Sequence, residues 1–231
     1  VLSPKTAAII INSPNNPTGK IYSQEEIHKL AELLKQSETK INRLPYIICD
    51  EPYRAITYNG KNVASIFNEY NNSVILTSFA KNLSIPGERL GYLCVNPSCS
   101  ESKELIASCI LATRILGYVN APAFFQKVIA KSWNCKCDYS LYEKRCNEIT
   151  EIMDYAGLKY IKPEGAFYLF VKVPDNWNND DMAFTDHMKK FNILCAPGTG
   201  FGCKGWFRIS YCVAEQTILN SKEAFYKAVH E

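Results

Sequence analysis

Three short stretches gather side chains that could do chemistry together. Asn16-Pro17-Thr18-Gly19 is a rigid turn able to present the Asn16 amide. Asp50 is followed three residues later by Tyr53. Ser78-Phe79-Ala80-Lys81 brings a hydroxyl close to an amine, and Arg89 comes eight residues after the lysine, behind Pro86-Gly87. A hydroxyl, a lysine and an arginine within twelve residues make an anion site with an amine beside it. A carboxylate, a phenol and an amide could engage the other atoms of a polar aromatic ring. Each residue also has a plainer use. NPTG is a good turn whatever it binds, Asp50 could cap the segment after it, and a lone lysine is usually solvated. The plainer uses do not explain the combination.

Apolar strands must deliver these groups. Residues 7–12 (AAIIIN) are a short β-branched run ahead of the turn, residues 46–49 (YIIC) run into Asp50-Glu51-Pro52, residues 74–77 run into Ser78, and residues 90–95 form a fourth strand. Between the first two, Ser23-Gln24-Glu25-Glu26 is a capping box followed by Ile27, Leu30, Leu33 and Leu34 at helical spacing. Continuous apolar runs bridged by helices predict an α/β fold, a mainly parallel sheet with helices on both faces. In such sheets ligands sit beyond the carboxyl ends of the strands, which is where Asn16, Asp50 and Ser78 fall. Residues 101–156 read as almost wholly helical, broken by Gly117 and Pro122. Beyond Gly157, short strands at 160–161, 167–171, 193–195 and 207–211 mix with helices at 181–191 and 215–229, a smaller α+β part. The expected domains are 1–138 and 139–231.

Composition narrows the function classes. The 231 residues are 47% hydrophobic and 21% charged, with a formal net charge of +3, which is the profile of a globular protein rather than a disordered or fibrous one. The basic residues are scattered among acidic ones, so neither nucleic acid nor a membrane is expected as a partner. Several of the ten cysteines (Cys49, Cys94, Cys195, Cys212) lie inside apolar runs and read as reduced thiols of a cytoplasmic protein. Cys135, Cys137 and Cys146 lack the spacing of a zinc site, so no metal is expected. The chain opens Val1-Leu2-Ser3-Pro4, without methionine, and runs at once into the first strand, which reads like the middle of a longer protein.

The segment SFAKNLSIPGERLGY resembles the coenzyme-lysine block of the class I/II aminotransferases, the aspartate aminotransferase superfamily of fold-type I pyridoxal-phosphate enzymes. NSPNNPTGK resembles their asparagine turn and ICDEPYRAITYNG their aspartate–tyrosine strand. PEGAFYLF and PGTGFGCKGWFRIS resemble two blocks of their C-terminal domain. The blocks follow the family's order, and the resemblance covers essentially the whole chain. It implies the C-terminal part of that fold, with residues 1–138 the end of the large coenzyme-binding domain and 139–231 the small domain. It also implies pyridoxal 5'-phosphate as cofactor, with Lys81 the Schiff-base and proton-carrying lysine, Asp50 the partner of the pyridine nitrogen, and Tyr53 and Asn16 at the ring 3′-oxygen. Ser78 and Arg89 would bind the phosphate, Arg208 would clamp the substrate α-carboxylate in two parallel hydrogen bonds, and Phe167 would line the substrate pocket.

By the same resemblance about 150–170 residues precede this chain in the full protein, and the chain alone would be inactive and would expose apolar surface. The full protein is expected to be a homodimer in amino-acid metabolism or biosynthesis. It would transfer an amino group from an aspartate-like or an aromatic or neutral L-amino acid to a 2-oxo acid, with 2-oxoglutarate the expected acceptor. Arg114, in TRILGYVNAP, lies at a suggestive distance beyond Lys81 for a distal carboxylate, although a helix-end arginine needs no such role. Two other readings remain: a β-lyase with the same coenzyme residues, and a non-catalytic module, which would be expected to have lost Lys81 or Asp50.

Overall fold

The computed structural model describes residues 2–231, which fall into two compact units. The first comprises the chain up to Ser13 with Tyr22–Ala55 and Asn62–Cys137. The second comprises Pro14–Ile21, Ile56–Lys61 and Asp138–Glu231. The chain therefore lays two short segments on the second unit before reaching its main body.

In the first unit, strands β1 (Ala8–Asn12), β2 (Tyr46–Asp50), β3 (Ser73–Ser78) and β4 (Gly91–Val95) stand in that order in one sheet. The first three are parallel, with Asn12 opposite Asp50 and Asp50 opposite Leu76. Helix α1 (Gln24–Ile41) makes the crossover between β1 and β2. Its capping box forms: Glu26 N–H donates to Ser23 Oγ at 3.2 Å and Ser23 N–H to Glu26 Oε2 at 2.8 Å. The helix ends where Asn42 turns left-handed, at φ 54°. Ile27, Ala31 and Leu34 pack with Ile47 and Cys49 of β2 and with Ile66 and Tyr70. Burying each large member of such a cluster stabilises by about 1.5–3 kcal/mol.

On the other face Val74, Leu76 and Val95 pack with Cys99 and with Leu105 of α3 (Ser102–Ile115). The fourth strand departs from the parallel expectation, since β4 runs antiparallel to β3. The connection between them holds only the single turn α2 (Phe79–Asn82) and a 3-10 turn at Pro86–Glu88. A parallel return would need a longer crossover. The helical stretch breaks after α3 at Gly117 and resumes at Pro122 as α4 (Ala123–Ser132). Ile10, Ile110, Leu111, Ile115 and Phe124 are exposed.

The second unit is built on an antiparallel sheet of β5 (Tyr160–Ile161), β6 (Tyr168–Lys172), β8 (Trp206–Ser210) and β7 (Ala196–Pro197). Around it lie α5 (Ser140–Ala156), α6 (Asp181–Met188), α7 (Glu215–Asn220) and α8 (Lys222–His230). The strand pairs Leu169–Ile209 and Val171–Phe207 point into the core with Met153, Phe184 and Met188. Tyr168, Phe170 and Arg208 share the opposite face, because side chains alternate along a strand. The helix expected over 215–229 is two helices, parted at Ser221, whose hydroxyl donates to Ile218 O at 2.7 Å. The strand expected at 193–195 pairs one step later, at Ala196–Pro197. Lys189–Phe191 closes α6 as a 3-10 turn.

Candidate active site

In the first unit the polar groups collect at one edge of the sheet, where β1, β2 and β3 end and β4 begins. Asn12 Nδ2 donates to Asp50 O at 2.9 Å and to Asp50 Oδ2 at 3.1 Å, so the carboxylate is aimed by its neighbour in register. Burial pushes the Asp50 carboxyl above its ordinary range. Such a group gains from any cationic N–H placed against it. Glu51 beside it is buried, and its carboxylate accepts from Arg54 at 2.6 Å. Burial raises Glu51 while Arg54 opposes the rise, which makes Glu51 a structural ion pair.

Tyr53 is buried, and the Lys81 amine stands 5.9 Å from the centroid of its ring. Lys81 is carried by α2, whose N-cap is Ser78: the hydroxyl accepts from Ala80 N–H at 3.1 Å and donates to Leu90 O at 3.3 Å. Arg89 is exposed, has φ 53°, and donates to Pro86 O at 2.8 Å. Gly91, opposite Ser78, has no room for a side chain, because a Cβ would lie 2.5 Å from Thr77 O. That close approach keeps the Arg89 loop against the end of β3. Asp50, Tyr53, Ser78, Lys81 and Arg89 thus belong to one unit. Arg114 is in the last turn of α3 and exposed.

Asn16, Phe167 and Arg208 belong to the other unit. Arg208 projects from β8 with its guanidinium carbon 4.6 Å from the Tyr168 ring centroid and 4.7 Å from that of Phe201. One terminal nitrogen donates to Asn16 Oδ1 at 2.9 Å, and Nε is buried without a hydrogen-bond partner among the described residues. A buried donor on a planar fork suits a carboxylate. Phe167 is buried, its ring centroid 5.3 Å from that of Tyr142 and 4.9 Å from that of Tyr168. It follows Ala166, a fully buried residue at φ 60° whose carbonyl accepts from the Tyr58 hydroxyl. Tyr58 also meets the Tyr211 hydroxyl at 3.0 Å, and Tyr211 N–H donates to Phe167 O at 3.1 Å. Among the described residues no cluster of three or more His, Cys, Asp or Glu could hold a metal, and all ten cysteines are free thiols. Nor is any helix among the described residues long and apolar enough to cross a membrane.

A sequence model described as aminotransferase class I and II matches residues 1–224. The chain belongs to that family. Its relatives include an aspartate aminotransferase of Thermotoga maritima, 30% identical over 93% of this chain and 54% of the relative. An aromatic-amino-acid aminotransferase of Thermococcus litoralis is 28% identical over 100% of this chain and 59% of its own. Among solved structures, an amino transferase from Eubacterium rectale superposes with a TM-score of 0.93 at 41% identity, covering 99% of this chain and 57% of that one. The chain thus spans a little over half the length of these relatives, and it corresponds to the C-terminal part of the fold.

The aminotransferase family depends on pyridoxal phosphate. The first unit's donor set suits that molecule. It offers a carboxylate whose charge burial disfavours, an amine beside a phenol, and a hydroxyl and a guanidinium at one strand end. Several residues that hold these groups were not singled out from the sequence: Asn12 against Asp50, Tyr168 and Phe201 against Arg208, Tyr58 under Ala166, and Glu164 of PEGAFYLF. All of them lie inside blocks that resemble the family's, and that is the one local signal they carried.

Proposed function

We propose that the complete protein is a pyridoxal-phosphate-dependent aminotransferase. It would move an amino group from an L-amino acid, aspartate-like or aromatic or neutral, to a 2-oxo acid, 2-oxoglutarate first among them. The observation that supports this most is the half-buried Asp50 carboxylate, aimed by Asn12 at the carboxyl end of parallel strands, the next of which leads into Lys81. The coenzyme, when bound, supplies an aldehyde carbon that exchanges amines and a ring that draws electrons from the carbon beside it. Asp50 would hold a proton on the ring nitrogen. Tyr53 and Asn16 would hold the ring oxygen, and Ser78 and Arg89 the phosphate. Lys81 would be both the amine displaced by substrate and the group that carries the proton from the substrate Cα. Arg208 would grip the α-carboxylate, and Phe167 would line the pocket. The two units then serve as the end of the coenzyme-binding domain and as the small domain, and the working protein would be a homodimer.

The test is an absorbance titration of the full-length protein with pyridoxal phosphate, followed by borohydride reduction and peptide mapping, beside Lys81→Ala. A visible band fixed by reduction on the Lys81 peptide, absent from the variant, is the expected result. Lys81→Ala should also lower kcat by about 10²–10⁴-fold. Arg208→Lys should raise the amino-acid KM about tenfold, because a lysine cannot offer two parallel donors. A full-length protein without the band, or one that releases pyruvate and ammonia instead of a new amino acid, overturns the reading.

A further inference from the structure

Glu164 gathers three segments distant in sequence. Its Oε1 lies 2.6 Å from Lys20 Nζ and 2.5 Å from Lys61 Nζ, while Oε2 accepts from Ile21 N–H at 3.1 Å. Its backbone joins in: the N–H groups of Glu164 and Gly165 both donate to Gly19 O, at 2.8 and 3.0 Å, and Tyr58 N–H donates to Glu164 O at 2.9 Å. Gly19 is left-handed, at φ 68°, and a Cβ there would stand 2.7 Å from Pro163 Cβ. No other residue lets the two segments meet this closely. The turn gripped in this way is closed internally by Asn15 N–H to Lys20 O and Gly19 N–H to Asn15 O, both 2.8 Å. What it presents is Asn16, the acceptor for Arg208.

Arg208 needs that acceptor for a geometric reason. The Tyr168 and Phe201 rings stand 4.6 and 4.7 Å from the guanidinium carbon, contacts that hold the group but do not direct its N–H edges, so rotation about the side-chain bonds still has to be set. The Asn16 bond fixes the rotation and leaves the Nε edge for another acceptor. We propose that Glu164 is a positioning residue for carboxylate recognition: by clamping Lys20, Lys61 and the Gly19 turn, it fixes Asn16 and through it the orientation of Arg208. This rests on the reading of Arg208 as the substrate-carboxylate clamp. Glu164 touches no reacting atom and acts only through the turn.

The test uses the full-length protein with Glu164→Gln, Glu164→Ala, Lys20→Gln and Lys61→Gln, and with Ile152→Val as a comparator that loosens the buried side of α5 in the same unit. For each, KM and kcat are measured at saturating coenzyme, coenzyme affinity by absorbance, Tm by calorimetry, and affinity for 3-phenylpropionate, a simple carboxylate probe, by titration calorimetry. Glu164→Ala should raise both the KM and the probe's Kd about tenfold, and the Gln and lysine variants about threefold, with a smaller fall in kcat and coenzyme affinity because Asn16 also serves the ring oxygen. Ile152→Val should lower Tm and leave KM where it was. If the Glu164 and lysine variants lower Tm alone, as Ile152→Val does, Glu164 is purely structural and the inference falls while the function stands. If the wild type transaminates no amino acid and binds no carboxylate, the function itself fails and the inference with it.

Discussion

Acid should dissolve the Glu164 clamp over a defined range, and the structure sets its size. Burial alone would raise this carboxyl. The hydrogen bonds from Lys20, Lys61 and Ile21 N–H outweigh it and hold the group at about 2, against an ordinary 4.5. Converted directly, that difference is at most ~3 kcal/mol of stability at neutral pH. The lysine side chains are 50% and 48% exposed, so solvent screens the attraction. About 1–2 kcal/mol is the reasonable expectation. The sign follows from the folded carboxyl being the stronger acid: the contribution is complete above the ordinary 4.5 and is lost as pH falls toward 2. Urea denaturation of wild type and Glu164→Gln should therefore show the wild type ahead by ~1–2 kcal/mol from about pH 7 to about pH 5, with the gap more than halved by about pH 3. Molar salt should shrink the neutral-pH gap. In a Lys20→Gln, Lys61→Gln background Glu164→Gln should cost much less than in the wild type, since both lysine partners are gone and only the Ile21 N–H remains. A gap that is absent at neutral pH, or one that persists undiminished to about pH 3, would refute the ion-triad account.

Three further substitutions probe the parts of the scaffold. Burial raises the Asp50 carboxyl, so its ionised form costs stability as pH rises past the ordinary 3.8. Without coenzyme, Asp50→Asn should be at least as stable as wild type near neutral pH, an advantage lost in acid, and a variant less stable at neutral pH would show that Asp50 is already paired. Tyr58→Phe leaves the buried Ala166 carbonyl and Tyr211 hydroxyl each short of a partner and should cost about 1–3 kcal/mol in denaturation. A loss below ~0.5 kcal/mol would show that water or a rotated Tyr211 replaces it. Gly165→Ala sets a Cβ 2.5 Å from Ile56 O and 3.0 Å from Pro14 Cγ, whereas Gly200 has nothing within 4 Å. The first should cost about 1–3 kcal/mol and Gly200→Ala less than ~0.5, so equal losses would contradict the packing.

The strands of the first sheet were legible because β-branched apolar runs ending in polar residues say both where a strand lies and where it stops. Ala8–Asn12, Tyr46–Asp50 and Ser73–Ser78 all fall close to the expected ranges. Direction was not legible in the same way. The residues of β4 read like those of its neighbours, and only the shortness of the connection through Phe79–Asn82 and Pro86–Glu88 forces it antiparallel. Nor does local sequence reveal that Pro14–Ile21 and Ile56–Lys61 join the second unit. The contacts that hold them there, Ile21 N–H to Glu164 at a separation of 143 residues and Tyr58 to Tyr211 at 153, have no footprint in either segment alone.

The candidate site divides along the same line. Asp50, Lys81 and Arg89 stand out because a carboxylate, an amine and a guanidinium gather around the ends of apolar strands, and Arg208 because its block resembles the family's. A reader of the sequence can therefore ask what such groups would bind. Asn12, Tyr58 and Glu164 are already engaged by the protein itself, so they look like ordinary polar residues. Yet an arginine that must meet a carboxylate with two parallel bonds is useful only if its rotation is set beforehand. Here an amide sets it, a turn holds the amide, and a carboxylate between two lysines holds the turn. Groups left with unspent hydrogen-bonding capacity point to chemistry, and groups that have exhausted theirs supply its geometry. Arg208, with one edge bonded to Asn16 and Nε buried and unsatisfied, is where the two kinds meet.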